Sequence, residues 1–160
     1  MQAAAGSHVS RVGKSAMLYT GTVDVPSQEV IGFVVNEAIS GKTVRSPKKE
    51  PDCRVLDPAC GSGLFLLAAY RHLARKNNRE ADRPEQVHNI LRDLAGEWVF
   101  GTDIDPESVS AARTVLLFAF IEESGISGTG IPSPDQIREV SESLTKTIRC
   151  GNALVAPDYF

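Results

Sequence analysis

At 160 residues, 42% hydrophobic and 23% charged, the chain is long enough for one core that buries roughly two-thirds of its unfolded surface. No apolar run approaches the ~18 residues needed to cross a bilayer, and no apolar stretch precedes a cleavage site near the start, so a cytoplasmic protein without a membrane span is expected. The formal charge of −3 has the wrong sign for a domain that grips many phosphates unaided, and Cys53, Cys60 and Cys150 fit neither a disulfide framework nor paired zinc ligands.

Residues 1–25 are polar, carry Gly6, Gly13 and Gly21 and show no sustained period, which predicts an N-terminal arm. A helix is expected from Pro26, a favoured first helical residue, with Ile31, Val34, Val35, Ala38 and Ile39 on one face and Gly41 as its stop. After a polar connector over 42–52, the apolar run 53–56 reads as a strand that meets a turn at Asp57-Pro58, and 64–76 as a strongly apolar helix. Another helix is expected from Pro84, with Val87, Ile90, Leu91 and Leu94 on one face and Gly96 beyond its end. The segment 98–102 reads as a buried strand ending at Asp103. Asp105 is then the expected N-cap and Pro106 the first residue of a helix to about Ser124, whose run from Leu116 to Phe120 belongs to the core. A Gly-, Ser- and Pro-rich loop over 125–134 precedes a short polar helix over 135–144, and 147–150 reads as a third strand leading into Gly151-Asn152. This alternation predicts an α/β fold, a parallel sheet with flanking helices. Three strands make only the front half of a doubly wound sheet of ~5 to 7, so a truncated domain is expected.

Chemistry concentrates at the expected strand ends, because ligands bind outside the carboxyl edge of an open parallel sheet. In Asp57-Pro58-Ala59-Cys60-Gly61-Ser62-Gly63, Gly61 and Gly63 allow a sharp bend whose amides can donate to a closely approaching ligand, and Asp57 sets a negative charge beside it. That charge repels a pyrophosphate and attracts an ammonium or sulfonium group. Neither G-x-G-x-x-G nor the Gly-Lys-Ser/Thr of a phosphate loop is present. In Gly101-Thr102-Asp103-Ile104-Asp105-Pro106, Asp105 is placed to cap the helix, which leaves Asp103 to accept ribose hydroxyls and Ile104 as an apolar wall for adenine. In Gly151-Asn152-Ala153-Leu154, Asn152 has two readings, an ordinary turn residue or a partner for the exocyclic amine of adenine. Cys60 has no His or Lys at a telling position and reads as a small packing residue rather than a nucleophile. His8, His72 and His88 lack ligand spacing, so no metal is expected.

The ordered set DPACGSG, GTDIDP and GNAL resembles the S-adenosylmethionine-binding half of adenine-specific DNA methyltransferases of restriction-modification and phage-exclusion systems, over about residues 19–160. The resemblance implies a Rossmann-like class I methyltransferase fold with S-adenosylmethionine as cofactor. It implies that Asp57, Ala59, Gly61 and Gly63 hold the methionine part, with Cys60 in the same loop, that Asp103 and Ile104 hold ribose and adenine, and that Asn152 with Ala153 meets the adenine edge. The family's upstream motif, Tyr/Phe-Thr-Pro at a helix start, is matched in part. Tyr19-Thr20 lacks the proline and Val25-Pro26 lacks the threonine that would cap the helix, so Thr20, Thr22 and Pro26 are its candidates.

Transfer in this family uses Asn/Asp-Pro-Pro-Tyr/Phe to hold and stack on a flipped base. No such string occurs here, and Ala156-Pro157-Asp158-Tyr159 comes too soon after the third strand. The resemblance thus implies a cofactor-binding part over 26–160, ending ahead of the catalytic motif. Its DNA partner would be reached mainly through other regions, with a specificity subunit or fused nuclease as a further partner. A related methyltransferase of RNA or of a protein glutamine amide, and a non-catalytic fragment, are the alternatives. The basic groups Lys42, Arg45, Lys48, Lys49 and Arg71, Arg75, Lys76, Arg79, Arg83 read as solvated faces, with phosphate contact as the alternative.

Overall fold

A computed structural model describes residues 26–40, 54–78 and 83–155. Thr20, Thr22, the 42–52 connector with its basic group, Cys53, Arg79 and residues 156–160 lie outside them. The chain falls into two units, Met1–Val30 and Ile31–Phe160. In the first, helix α1 (Gln28–Ser40) begins. Pro26 stands ahead of this helix rather than at its first position. Ser27 Oγ accepts from Val30 N (3.4 Å), so Ser27 supplies the cap hydroxyl expected to be missing. Its hydrogen bond to Glu29 also lowers that carboxyl below the ordinary value.

The second unit continues as β1 (Val55–Asp57), α2 (Leu64–Asn78), α3 (Pro84–Asp93), a π-helical turn (Leu94–Trp98), β2 (Val99–Asp103), α4 (Pro106–Ile126), α5 (Pro134–Thr147) and β3 (Ile148–Cys150). The strands lie in the order β1-β2-β3, all parallel, with Asp57 level with Gly101 and Asp103 level with Cys150. Their carboxyl ends therefore share one edge. This is the expected α/β architecture, a parallel sheet with flanking helices.

The core forms where apolar faces of helical period meet. Leu66, Tyr70 and Leu73 of α2 pack with Ala112, Leu116 and Phe120 of α4, and α5 adds Val140 and Leu144. Each fully buried leucine contributes about 1.5–3 kcal/mol. Polar side chains tie the layers together. Tyr70 Oη donates to the Leu91 carbonyl (3.0 Å) and Arg113 Nε to that of Ile148 (2.9 Å). Two expected faces are narrower than the sequence suggested. Phe118 is 66% exposed, because a residue two positions beyond Leu116 points to the far side of the helix. On α1, Ile31, Val35 and Ile39 are buried at four-residue spacing, whereas Val34 and Ala38 are exposed.

Helix α3 ends at Asp93, with Gly96 beyond its end as expected. The chain winds on through it as a π turn, and β2 starts at Val99. A Cβ on Gly96 would lie 3.3 Å from Ser143 Cβ, and Thr147 Oγ1 donates to the Ala95 carbonyl (3.0 Å), so the turn is shaped by its packing on α5. Helix α5 opens at Ser133, whose hydroxyl and the Gln136 side chain form a capping box.

Arg71, one of the candidate phosphate contacts, pairs with Glu122 and lies 4.0 Å from Glu123. The Glu123 side chain is buried and no hydrogen-bond donor reaches its Oε1. Burial raises its carboxyl above the ordinary 4.5, outweighing the attraction of Arg75 and Arg71. A raised native value means that Glu123 favours folding most at pH below 4.5 and loses that contribution as pH rises through the native value. Glu123→Gln, which keeps the shape without the charge, should therefore stabilise the chain at pH 7 by about 1 kcal/mol in urea denaturation. The gain should vanish on acidification below the ordinary glutamate value.

Candidate functional site

Asp57 closes β1, and its Oδ1 accepts from Ala59 N (3.1 Å), which with Pro58 turns the chain across the sheet edge. Cys60 N then donates to the Thr102 carbonyl, Gly61 N to Asp103 Oδ2 and Gly63 N to the Cys60 carbonyl, each at 2.8 Å. The amides of Cys60, Gly61 and Gly63 thus serve acceptors of the protein itself. Other donors remain at the start of α2. Its first helical bond runs from Leu67 N to the Gly63 carbonyl (2.8 Å), so the amides of Leu64, Phe65 and Leu66 lie ahead of any intrahelical acceptor.

The two glycines of the bend differ in role. Both have positive φ, 52° at Gly61 and 87° at Gly63. A side chain at Gly61 would meet open space, but a Cβ at Gly63 would lie 2.9 Å from Ala112 Cβ. Gly63 therefore seats the bend on α4. Cys60 is 5% exposed, and its thiol is pushed up to about 12, first by burial and then by the charges of Asp57 and Asp103. It packs and does not attack.

Asp103 ends β2 and links all three strand ends. Its Oδ1 accepts from Asp105 N (2.9 Å), its Oδ2 from Gly61 N, and its carbonyl from Gly151 N (2.8 Å). Asp105 is the cap of α4, accepting from Ser108 N (3.0 Å) and Ser108 Oγ (2.7 Å), and the hydroxyl bond is the main reason its carboxyl is lowered. Ile104 between them is 61% exposed. Beyond β3, Asn152 Oδ1 accepts from Leu154 N (2.9 Å), which is the turn reading of this residue, and Ala153 is half-buried within the same turn. Asp57 is raised above its ordinary value, first by burial and further by the charge of Asp103, with the Ala59 amide opposing.

Thr102 was not among the expected site residues. It is 2% exposed, and its Oγ1 donates to the Pro58 carbonyl (3.0 Å). The available signal was a hydroxyl in a buried strand, since such a group must find a partner. Beside β1 lies a cavity of about 410 Å³ bordered by Val35, Ile39, Val55, Leu56, Asp57 and Phe65, within the range that holds small ligands.

Two neighbouring carboxylates, an exposed apolar side chain and a helix start whose first amides precede any intrahelical acceptor suit a ligand that combines a cation, hydroxyls and an apolar ring. Among the described residues no group of His, Cys, Asp and Glu is arranged to hold a metal, and no helix is long and apolar enough to cross a membrane.

Comparison with known proteins agrees with this arrangement. The adenine-specific methyltransferase PglX of Streptomyces coelicolor is 37% identical over 95 residues, 58% of this chain and 8% of that protein. RM.MjaORFECS2P of Methanocaldococcus jannaschii, whose name describes a type II restriction enzyme and methyltransferase, is 30% identical over 105 residues, 64% of this chain and 8% of that protein. The chain thus matches only a small part of the length of these curated relatives. No solved structure matches it. Residues 42–156 match the family described as MmeI, DNA-methyltransferase domain, a stretch that holds the glycine bend and all three strand ends, and the chain belongs to that family.

Proposed function

We propose that the chain binds S-adenosylmethionine as the cofactor part of an adenine-specific DNA methyltransferase. The observation that carries this reading is the placement of Asp57 and Asp103 at adjoining tips of parallel strands, beside the amides that open α2. When bound, the cofactor supplies an electrophilic methyl group on a sulfonium. Asp57 offers a charge of the right sign for that cation or for the ammonium, and the first-turn amides of α2 suit the carboxylate. A carboxylate has about four acceptor sites, so Asp103 keeps capacity for ribose hydroxyls after serving two amides. Ile104 provides apolar surface for adenine. Asn152, its oxygen engaged, presents its amide nitrogen to the ring nitrogens, next to Ala153. Ala59, Cys60, Gly61 and Gly63 shape the bend, and Thr20, Thr22 and Pro26 stay the candidates for the family's upstream motif.

The description of the matched family as a DNA-methyltransferase domain supports DNA as substrate, and the relative named as a restriction enzyme and methyltransferase supports a nuclease as a further partner, beside which we keep a specificity subunit. Such a substrate places the protein in the cytoplasm. Residues 1–160 contain no Asn/Asp-Pro-Pro-Tyr/Phe, so we assign cofactor binding, and not the methyl-transfer step, to residues of this chain.

Calorimetric titration with S-adenosylmethionine should give a saturable heat, and NAD should give none. Silence toward the first, or binding of the second, overturns the reading. Affinity should weaken as pH falls, because protonation removes the Asp57 charge, and the loss should begin at a higher pH than an ordinary aspartate would dictate. Asp57→Asn should bind on the order of tenfold more weakly at neutral pH and lack this dependence.

A further inference from the structure

We infer that Thr102 is a positioning residue for the donor site, holding the glycine bend in its binding shape through the Pro58 carbonyl. The inference rests on the S-adenosylmethionine reading above. After Asp57 the chain leaves the ladder of β1, and Pro58, with no N–H of its own, cannot continue it. Its carbonyl points to Thr102 Oγ1 at 3.0 Å, a hydrogen bond between residues 44 apart in the chain. The same residue's carbonyl receives Cys60 N at 2.8 Å, and the next residue, Asp103, receives Gly61 N at 2.8 Å. Three points of the bend are thus pinned to two consecutive residues of β2. Gly61 itself does not fix the path, because its φ of 52° looks into open space. A bend built on glycine keeps its course only where such bonds hold it. The bend leads straight into α2, so its course also sets where the amides of Leu64, Phe65 and Leu66 are presented.

Thr102→Val keeps the volume and the β-branch, and removes only the donor. Thr102→Ser keeps the donor and loses one methyl group. In the full chain, Thr102→Val should raise the Kd for S-adenosylmethionine about 5- to 30-fold by calorimetry, at a temperature where circular dichroism shows both proteins folded. Thr102→Ser should restore near-native affinity. Without cofactor, hydrogen exchange at the Cys60 and Gly61 amides should quicken in the valine variant, while amides of the α4 core keep their protection. Unchanged Kd in Thr102→Val, or failure of the serine variant to restore affinity, overturns the inference while leaving the cofactor reading intact. A wild-type chain that takes up no S-adenosylmethionine overturns both.

Discussion

Gly63→Ala is expected to destabilise the second unit by about 3 kcal/mol, read as a lower midpoint in urea denaturation. Two effects add. The residue has φ 87°, a region in which an L side chain costs about 1–2 kcal/mol. Its new Cβ would also lie 2.9 Å from Ala112 Cβ and 3.0 Å from Ala112 Cα. The second of these atoms is backbone, so no rotamer change relieves the overlap, and α4 or the bend must shift. Ala112→Gly in the same background should recover part of the loss by removing the Cβ clash, leaving the dihedral strain and the crowding against the α4 backbone. Gly61→Ala makes the informative contrast. It shares the positive φ but meets nothing within 4 Å, so it should cost only the dihedral part. Equal losses at the two positions would contradict a close approach to α4 as the reason for Gly63.

Asp103→Ala is expected to weaken S-adenosylmethionine binding by about 1–3 kcal/mol, roughly ten- to a hundredfold, through loss of the ribose acceptor. The structure adds a second consequence. Gly61 N and Asp105 N both lose their acceptor, which should lower stability by about 1–2 kcal/mol even without ligand. Asp103→Asn separates the two effects. Its side-chain oxygen can still serve one amide, so stability should fall less, while a neutral amide is a poorer acceptor for a hydroxyl pair and affinity should still fall. Calorimetry and urea titration on the same preparations give both quantities. Unchanged affinity in Asp103→Ala would remove Asp103 from the cofactor site.

Strand ends and helix starts were legible because local chemistry marks them. Asp105-Pro106 reads as cap and first helical residue and is both. The Asp57-Pro58 pair ends a strand because proline cannot extend a ladder. The positions of the candidate site residues were legible for the same reason, since they occupy those junctions. What the sequence could not show was the destination of the hydrogen bonds. Glycine at 61 announces a bend, but its amide meets a carboxylate 42 residues away, and no local pattern carries that information. Gly61 and Gly63 look alike in the string and differ only in what stands behind them, open space or α4. The π turn through Gly96 escaped for a similar reason, because it answers to Ser143 and Thr147 on a later helix. Ser27 was overlooked because the adjacent proline offered a competing helix start, two residues ahead of the observed one.

Among the described residues β1 is paired on one side alone, with β2. A parallel strand joining its vacant flank would run about 4.8 Å away and discharge its chain, like its neighbours, at the edge where Asp57 sits. On the proposed reading, loops issuing from that fourth tip would stand closer to the methionine end of the donor than to its nucleoside end, which Asp103 would hold on the far side of Asp57. A base-handling segment carried there would reach the methyl group without spanning the sheet.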